Sequence, residues 1–302
     1  MAVIKAENLT RDYKVGFGGF KKIRALDSLN LEIFPGEIFG FLGPNGSGKT
    51  TTIKLILGLI KPTSGKITVF GKSPTDTKIK KRIGYLPESP YFYDYLTAYE
   101  FLSFCAEVVD TKEKRIDELL KLVDMTEAKN TQLGKFSRGM LQRIGVAQSL
   151  LGDPELVILD EPMGGLDPIG RKEVRDIIVN LRREGKTVFF SSHILSDAEM
   201  ICDRVGILVK GKLLKVGRTA EILSEEIESI EITAKNLSPE QEKELATLSA
   251  RVLKSDGKVM FIVSTPEERD KVIRYLVNTG GEIVSVVPRR KTLEEYFMSF
   301  VR

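Results

Sequence analysis

The stretch GPNGSGKTT, residues 43–51, decides the fold of this 302-residue chain. It fits the pattern G-x-x-x-x-G-K-[ST] and lies between an apolar run, EIFGFL, and a helix-like run, TTIKLILGLI. In that context backbone N–H groups of the loop and of the helix N-terminus attract phosphate oxygens, whereas a bare glycine-rich turn would bind nothing. The pattern predicts a nucleotide site whose phosphate-binding loop consists of Gly43, Pro44, Asn45, Gly46, Ser47, Gly48, Lys49, Thr50 and Thr51.

Several side chains suit the chemistry of such a site. Lys49 would reach the β- and γ-phosphates, and the Thr50 hydroxyl would bind Mg²⁺. In LVILDEP, residues 156–162, Asp160 falls at the carboxyl end of a buried strand, where α/β sheets bind ligands. It can hold Mg²⁺ through water, and Glu161 can polarise a water for attack on the γ-phosphate. The alternative for both acids is a solvated strand end.

Composition excludes several classes of protein. The net charge of +4, from 46 basic and 42 acidic residues, is too mild for a nucleic-acid partner. Cys105 and Cys202 have neither metal nor redox spacing, which is typical of a reducing compartment. The start MAVIKAENLT does not resemble a signal peptide, and no apolar run approaches the roughly 20 residues of a spanning helix. We expect a cytoplasmic protein that reaches a membrane only through a partner.

The order of strand-like and helix-like runs predicts an α/β nucleotide domain over residues 1–220. It would begin with a small antiparallel β-subdomain, in which KVGFGGFKKIR forms an exposed loop, and contain an inserted helical subdomain at about 90–150. A separate α+β domain over 221–302 shows the order β-α-β-β-α-β, which is ferredoxin-like. Its hairpin would turn at Asp256-Gly257, and TLEEYFMSFV would be its closing helix.

Two further features are ambiguous when taken alone. His193, the single histidine of the chain, follows the buried run TVFFSS, and a lone histidine is more often structural than functional. Ser137, in KFSRGMLQR, is a good N-cap for the apolar-periodic helix after it. The helix would direct its positive end at an anion, but the stretch is otherwise only a capped helix.

The motifs GPNGSGKTT, GYLPES, KFSRGMLQR, LVILDEP, GGLDP and SSH stand in the order and spacing of an ATP-binding cassette (ABC) ATPase, which residues 1–220 therefore resemble. The resemblance implies a P-loop NTPase cassette that sandwiches ATP and Mg²⁺ between two copies arranged head to tail. Ser137, Arg138 and Gly139 then match the signature motif, which caps the γ-phosphate held by the other subunit. Asp167 matches the loop that crosses the dimer interface.

The same resemblance assigns the remaining candidates. His193 matches the switch histidine that contacts the γ-phosphate and holds the attacking water. Glu88 replaces the usual glutamine that binds Mg²⁺, which a carboxylate can approach through water. Tyr13 sits where the family stacks an aromatic ring on adenine, although it could equally be core. Arg138 and Met140 replace a more common glycine and glutamine, as in ATPase subunits of exporter-type transporters.

These expectations favour the ATPase subunit of a membrane transporter. The export direction is implied by the resemblance alone. ATP would close a homodimer on the cytoplasmic face of the membrane and drive a permease in a separate chain. The tyrosine-rich stretch 89–101 would face that permease, unless its rings fill the helical subdomain. The alternatives are a soluble ABC ATPase acting on ribosomes or nucleic acid, and a P-loop GTPase or kinase.

Overall fold

The computed structural model describes residues 1–15, 21–224, 227–255, 257–290 and 292–296. The chain forms two compact units, Met1–Thr219 and Ala220–Arg302. Each unit has its own cluster of buried apolar side chains, so each can be described by itself.

Strands and helices alternate along most of the first unit, which is the pattern of an α/β fold. Its strands are β1 (Ile4–Val15), β2 (Lys21–Ile33), β3 (Ile38–Leu42), β4 (Ser64–Val69), β5 (Ile83–Leu86), β6 (Leu156–Asp160), β7 (Thr187–Ser192), β8 (Arg204–Val209) and β9 (Lys212–Arg218). Its helices are α1 (Lys49–Ile56), α2 (Thr77–Lys80), α3 (Ala98–Val108), α4 (Lys114–Leu122), α5 (Arg138–Ser149), α6 (Pro168–Arg183) and α7 (Leu195–Ile201), and α8 (Thr219–Ser224) follows β9.

A six-stranded sheet in the order β5-β6-β7-β3-β8-β9 forms the centre of this unit. All neighbours in it are parallel except β8 and β9, which are antiparallel. Every residue of β3, β6 and β7 is buried, as their apolar runs predict for central parallel strands. The Phe189 ring of β7 packs against Phe39 and Phe41 of β3, with ring centroids 6.0 and 5.4 Å apart.

A three-stranded antiparallel sheet, in the order β2-β1-β4, is the predicted N-terminal β-subdomain. Helix α1 contacts β2 and β4 of this sheet and also β6 of the central sheet. The helix that follows the phosphate-binding loop is therefore fixed between the two sheets.

The segment between β5 and β6 is helical, as its periodicity predicts. Helices α3, α4 and α5 contact one another there. Thr97 and Glu100 cap α3 reciprocally, and the Ser137 hydroxyl accepts a hydrogen bond from the Met140 N–H at the start of α5. The described part of this segment contains no strand.

The second unit has the predicted β-α-β-β-α-β order. Its elements are β10 (Ile227–Lys235), α9 (Pro239–Thr247), β11 (Arg251–Ser255), β12 (Lys258–Val263), α10 (Pro266–Thr279) and β13 (Glu282–Arg290). The four strands form an antiparallel sheet in the order β11-β12-β10-β13, which is the ferredoxin-like arrangement. Phe261 of β12 is fully buried in the core under the two helices.

Some predicted elements differ in extent. The predicted loop over 14–24 is shorter, because β1 runs to Val15 and β2 begins at Lys21, and residues 16–20 lie outside the described part of the chain. Helix α1 ends at Ile56, because Gly58 adopts a left-handed backbone with φ +67°. Asp256 of the predicted hairpin turn also lies outside the described residues, and only 293–296 of the predicted closing helix are described as helical.

Candidate nucleotide site

Four neighbouring strands of the central sheet end at one edge, and the predicted site residues follow those ends. Glu88 follows β5, and His193 follows β7. Asp160 is the last residue of β6, between those two strands, and Glu161 comes directly after it. The phosphate-binding loop follows β3, on the other side of β7. Because parallel strands place their carboxyl ends together, the fold brings these residues, which are up to 150 positions apart in the sequence, to one edge of the sheet.

The phosphate-binding loop is a tight turn with free donors. Gly48 precedes α1 with φ +112°, and a Cβ there would lie 2.6 Å from the Ala25 carbonyl oxygen, so only glycine fits. In the described part of the chain, no side chain caps the first N–H groups of α1. The Ser47 hydroxyl is buried and has no hydrogen-bond partner among the same residues. Uncapped N–H groups and an unpaired buried hydroxyl are what a phosphate would satisfy.

Lys49 lies beneath this loop with only 6% of its side chain exposed. Its ammonium donates to the carbonyl oxygens of Gly43 at 2.7 Å and Pro44 at 3.3 Å, and lies 3.1 Å from Glu161 Oε1. A buried ammonium needs such partners because its desolvation is costly. The structure therefore pairs two residues that the sequence assigned to the site separately.

Glu161 also contacts His193. The imidazole Nδ1 lies 2.8 Å from Glu161 Oε2, and the His193 backbone N–H donates to the same oxygen at 3.3 Å. The carboxylate is 8% exposed whereas the His193 side chain is 45% exposed, so the imidazole extends from the carboxylate toward solvent. One carboxylate thus connects Lys49 with the single histidine of the chain.

Asp160 is buried beside Glu161. Burial raises the pKa of its carboxyl above the ordinary value, while hydrogen bonds from Ser191 and Thr50 and the charge of Lys49 act to lower it. Ser191 donates to Asp160 Oδ1 at 2.5 Å and accepts from the Glu161 N–H at 2.9 Å. Ser191 is the first residue of the motif SSH, but the motif assigned a role only to His193; the available signal was a pair of serines at the end of a buried strand.

Glu88 reaches the edge from the loop after β5 and is exposed. Burial, together with the charges of Asp160 and Glu88, raises the pKa of Tyr85 on β5 to about 12. The two carboxylates therefore lie close enough to the same phenol to oppose its ionisation.

A cleft of about 250 Å³ opens at this edge. It is lined by Ala25, Asn45, Gly46, Gly48, Lys49, Thr50, Thr51, Glu88 and Glu161. We call it the nucleotide cleft. Tyr13 is half-buried on β1 and is not among these residues; the Arg11 guanidinium lies 4.7 Å from the centre of its ring. Tyr13 pairs across the strands with Ile23, two residues before the cleft-lining Ala25, and its stacking on adenine stays a prediction. A larger hollow near the amino-terminal ends of the strands, lined by Arg82 and Glu155, lies away from all of these residues.

The remaining predicted residues line a different cleft. Ser137, Arg138, Gly139 and Asp167 share a cleft of about 440 Å³, which we call the signature cleft. Ser137 begins α5, and Asp167 caps α6 by accepting from the Gly170 N–H at 2.8 Å. The two clefts have no lining residue in common. Within one chain, the predicted site is therefore divided into two halves.

The residues at the strand edge fit a magnesium ion that arrives with nucleotide. Proteins hold Mg²⁺ through one or two carboxylates, waters and substrate phosphates rather than in a cage. In the described ranges no group of three or more His, Cys, Asp and Glu side chains could hold a metal. The Thr50 hydroxyl and Asp160 carboxylate instead form a hydrogen-bonded oxygen pair beside the phosphate-binding loop.

The tyrosine-rich stretch combines exposed and buried rings. Tyr91 and Tyr95 are 82% and 69% exposed, whereas Phe101 is buried against Phe92. Tyr93 contacts both exposed tyrosines, with centroids 5.7 and 5.9 Å away. Part of the stretch therefore belongs to the helical core, and part is an aromatic surface. No helix in the described part of the chain has both the length and the apolar character to cross a bilayer.

This chain is similar to known proteins. The family model described as ABC transporter matches residues 26–164. An uncharacterized ABC transporter ATP-binding protein of Synechocystis sp. is 41% identical over 307 residues, 99% of this chain and 85% of that protein. The bacitracin transport ATP-binding protein of Bacillus licheniformis is 39% identical over 305 residues, 99% of this chain and 97% of that protein. A solved dimeric ATP-binding cassette, in a post-hydrolysis state with ADP and Pi, matches with TM-score 0.64 and 27% identity over 72% of this chain and 98% of that one.

Proposed function

The chain belongs to the ABC transporter family as an ATP-binding subunit that hydrolyses ATP, and we propose that it does so as a head-to-tail homodimer driving a separate permease. The division of the site into two clefts carries this proposal. The nucleotide cleft holds the lysine and acids, while the signature cleft holds Ser137 and Asp167. Two copies related by a two-fold axis would join unlike clefts and complete two sites.

Nucleotide binding would begin at the phosphate-binding loop. The uncapped N–H groups of α1 and the Ser47 hydroxyl would receive phosphate oxygens, and Lys49 would pair with them in place of Glu161. Thr50, Asp160 and, through water, Glu88 would hold Mg²⁺, which neutralises charge developing on the phosphates. Closure would bring the N-terminus of α5, capped by Ser137, toward the same phosphates.

Glu161 would then act on the attacking water. Once Lys49 is engaged by phosphate, the Glu161 carboxylate is free to accept a hydrogen bond from water and polarise it. His193, held at 2.8 Å from Glu161, would orient that water and contact the γ-phosphate. Hydrolysis removes the group that both halves of the site bind, so the dimer would reopen.

The permease would dock near the nucleotide cleft. Tyr91 and Tyr95 follow Glu88 by three and seven residues and are exposed, and aromatic residues are enriched in protein interfaces. A protein named for bacitracin transport is similar over nearly its whole length. We propose that this chain likewise serves a transporter, in the export direction, and lies on the cytoplasmic face of the membrane through its permease.

Mixing two inactive variants tests the divided site. Lys49→Ala should abolish phosphate binding in its own cleft, and Ser137→Arg should block the signature cleft. A mixed dimer has one site in which both halves are intact, so mixing equal amounts should restore about a quarter of wild-type ATPase activity. Each variant alone should be folded but inactive. Absence of any recovery, with dimers shown to form, would refute the head-to-tail arrangement.

Co-purification tests the partner. The tagged protein should bring a polytopic membrane protein out of mild-detergent extracts, and Tyr91→Ala with Tyr95→Ala should release it without lowering ATP binding. Recovery of ribosomes or nucleic acid in its place would favour the soluble ABC alternative and overturn the transporter proposal.

A further inference from the structure

Ser191 occupies a central place in the sheet that the proposed mechanism does not use. It lies on β7, directly opposite Asp160 of β6 on one side and Phe41 of β3 on the other. Its side chain is completely buried. A polar side chain at such a position needs a partner, and the identity of the partners shows what the hydroxyl does.

The Ser191 hydroxyl makes two hydrogen bonds, to two consecutive residues. It donates to Asp160 Oδ1 at 2.5 Å and accepts from the Glu161 backbone N–H at 2.9 Å. A hydroxyl has one proton and spare lone pairs, so it can serve both partners at once. The carboxylate and the N–H are both buried, so water cannot easily replace it.

The second hydrogen bond holds an unusual backbone conformation. Glu161 has φ +51°, in the left-handed region that non-glycine residues rarely adopt. Such residues persist where the surroundings fix them, and they concentrate at functional sites. The Ser191 hydroxyl fixes the Glu161 N–H, and thereby the direction in which the Glu161 side chain leaves the strand end.

We propose that Ser191 is a positioning residue that directs Asp160 toward the Mg²⁺ of bound ATP and holds Glu161 toward the attacking water. The inference rests on the Mg²⁺–ATP site proposed above. Partners that orient a metal-binding carboxylate are worth about 10–100-fold in metal affinity or activity. The role of Ser191 would thus differ from that of Ser192. In the described part of the chain, the Ser192 hydroxyl hydrogen-bonds only to backbone atoms of Ile194.

The test measures metal binding rather than turnover. Full-length wild type, Ser191→Ala and Ser191→Thr are saturated with a non-hydrolysable ATP analogue, and Mn²⁺ binding is followed by the loss of the free-ion EPR signal. A fluorescent ATP analogue in EDTA measures nucleotide affinity without metal. Ser149→Ala is the matched control, because it also removes a buried hydroxyl, which among the described residues bonds only to the Val146 carbonyl.

Ser191→Ala should weaken Mn²⁺ binding about 10–100-fold and leave metal-free nucleotide affinity within twofold of wild type. Ser191→Thr, which keeps the hydroxyl, should recover most of the loss, and Ser149→Ala should match wild type. An unchanged Mn²⁺ affinity, or an equal loss of metal-free binding, would overturn the proposal.

A second variant and the wild type complete the test. If Ser191→Ala does not fold, Ser191→Cys keeps the volume with a weaker donor and should show a smaller loss in the same direction. If Ser191→Cys binds Mn²⁺ as tightly as the wild type and the Ser149→Ala control, the proposal is overturned. Failure of the wild type itself to bind Mn²⁺ with nucleotide would instead refute the proposed ATPase site.

Discussion

Glu161 and Lys49 form a buried ion pair, with Oε1 and Nζ 3.1 Å apart and side chains 8% and 6% exposed. The acid proposed to activate water thus neutralises the lysine proposed to bind phosphate. Each charge would be costly to bury alone, and together they are tolerated. Nucleotide phosphates would take the place of Glu161 at Lys49, so binding and activation of the acid become one event.

Glu161→Gln should therefore have opposite effects with and without nucleotide. Without ATP, Lys49 loses its counter-charge and the free energy of unfolding should fall by roughly 2 kcal/mol. With Mg²⁺–ATP the phosphates replace that charge, so ATP should raise the melting temperature more than in wild type. ATP turnover should fall by about 100-fold or more. Melting curves with and without ATP, and a phosphate-release assay, measure all three quantities.

The surface variant Glu155→Gln is a control, because it removes the exposed ion pair with Arg82 away from the clefts. It should change neither turnover nor the ATP-induced shift. Full hydrolysis by Glu161→Gln would contradict the role of this acid.

His193 offers a direct probe because the chain has no other histidine. In an untagged protein, its imidazole should give a single set of histidine NMR signals, and these should shift when a non-hydrolysable Mg²⁺–ATP analogue binds. His193→Ala should lower turnover about 100-fold and leave nucleotide affinity within a few fold, because Lys49 is intact. If the imidazole signals do not shift at saturating nucleotide, the assignment of His193 as the switch histidine is wrong.

The two cores should respond separately to truncation. Phe189→Ala removes the ring that packs on Phe39 and Phe41 and should cost the first unit about 3–5 kcal/mol, with loss of nucleotide binding. Phe261→Ala should cost the second unit a similar amount and leave nucleotide binding intact. Calorimetry with a nucleotide-binding assay distinguishes the two, and each variant is the control for the other.

The ion pair of Lys186 and Asp153 should contribute a small free energy of unfolding that is lost in acid. The hydrogen bond from Lys186, 2.7 Å from Asp153 Oδ1, holds the pKa of Asp153 below its ordinary value. A lowered folded-state pKa stabilises the protein above the unfolded-state pKa, and this contribution is lost as pH falls through the folded-state pKa. Asp153→Asn should thus cost less than about 1 kcal/mol at neutral pH, since the carboxylate is largely exposed, and nothing in strong acid.

Urea unfolding at pH 7 and at pH 2.5 measures this difference. Asp110→Asn, which neutralises an exposed carboxylate two residues after α3, is the control and should behave like wild type at both values. A larger penalty in acid than at neutral pH would reverse the expected sign.

The sequence motifs were sufficient to predict most of the residues that lie at the carboxyl ends of the central strands. Phosphate binding demands a glycine-rich turn with a lysine, and metal binding demands acids at a strand end, so these residues have recognisable patterns. The order of strands in the sheet has no comparable local pattern. That β7 lies between β6 and β3 is what places Ser191 against Asp160, and it could not be read from the sequence.

The contacts within the site were also beyond the motifs. The Lys49–Glu161 pair joins residues over 100 positions apart, and its formation depends on the folded sheet. Tyr13 stays a prediction: it pairs across the strands with Ile23, two residues before the cleft-lining Ala25, and only bound nucleotide would show whether it stacks on adenine. The β-α-β-β-α-β order of the second unit was predicted from local strand-like and helix-like runs, and its two helices begin at capping boxes on Ser238 and Thr265.

The placement of β3 in the sheet also has a consequence during synthesis. Its hydrogen-bonded neighbours are β7 and β8, which are made about 150 residues later. A growing chain therefore displays GPNGSGKTT long before it has the strands that shape it into a site. Pairings of such long range form slowly. Nascent chains arrested before Val209 has left the ribosome should not retain ATP, whereas chains arrested beyond the first unit should.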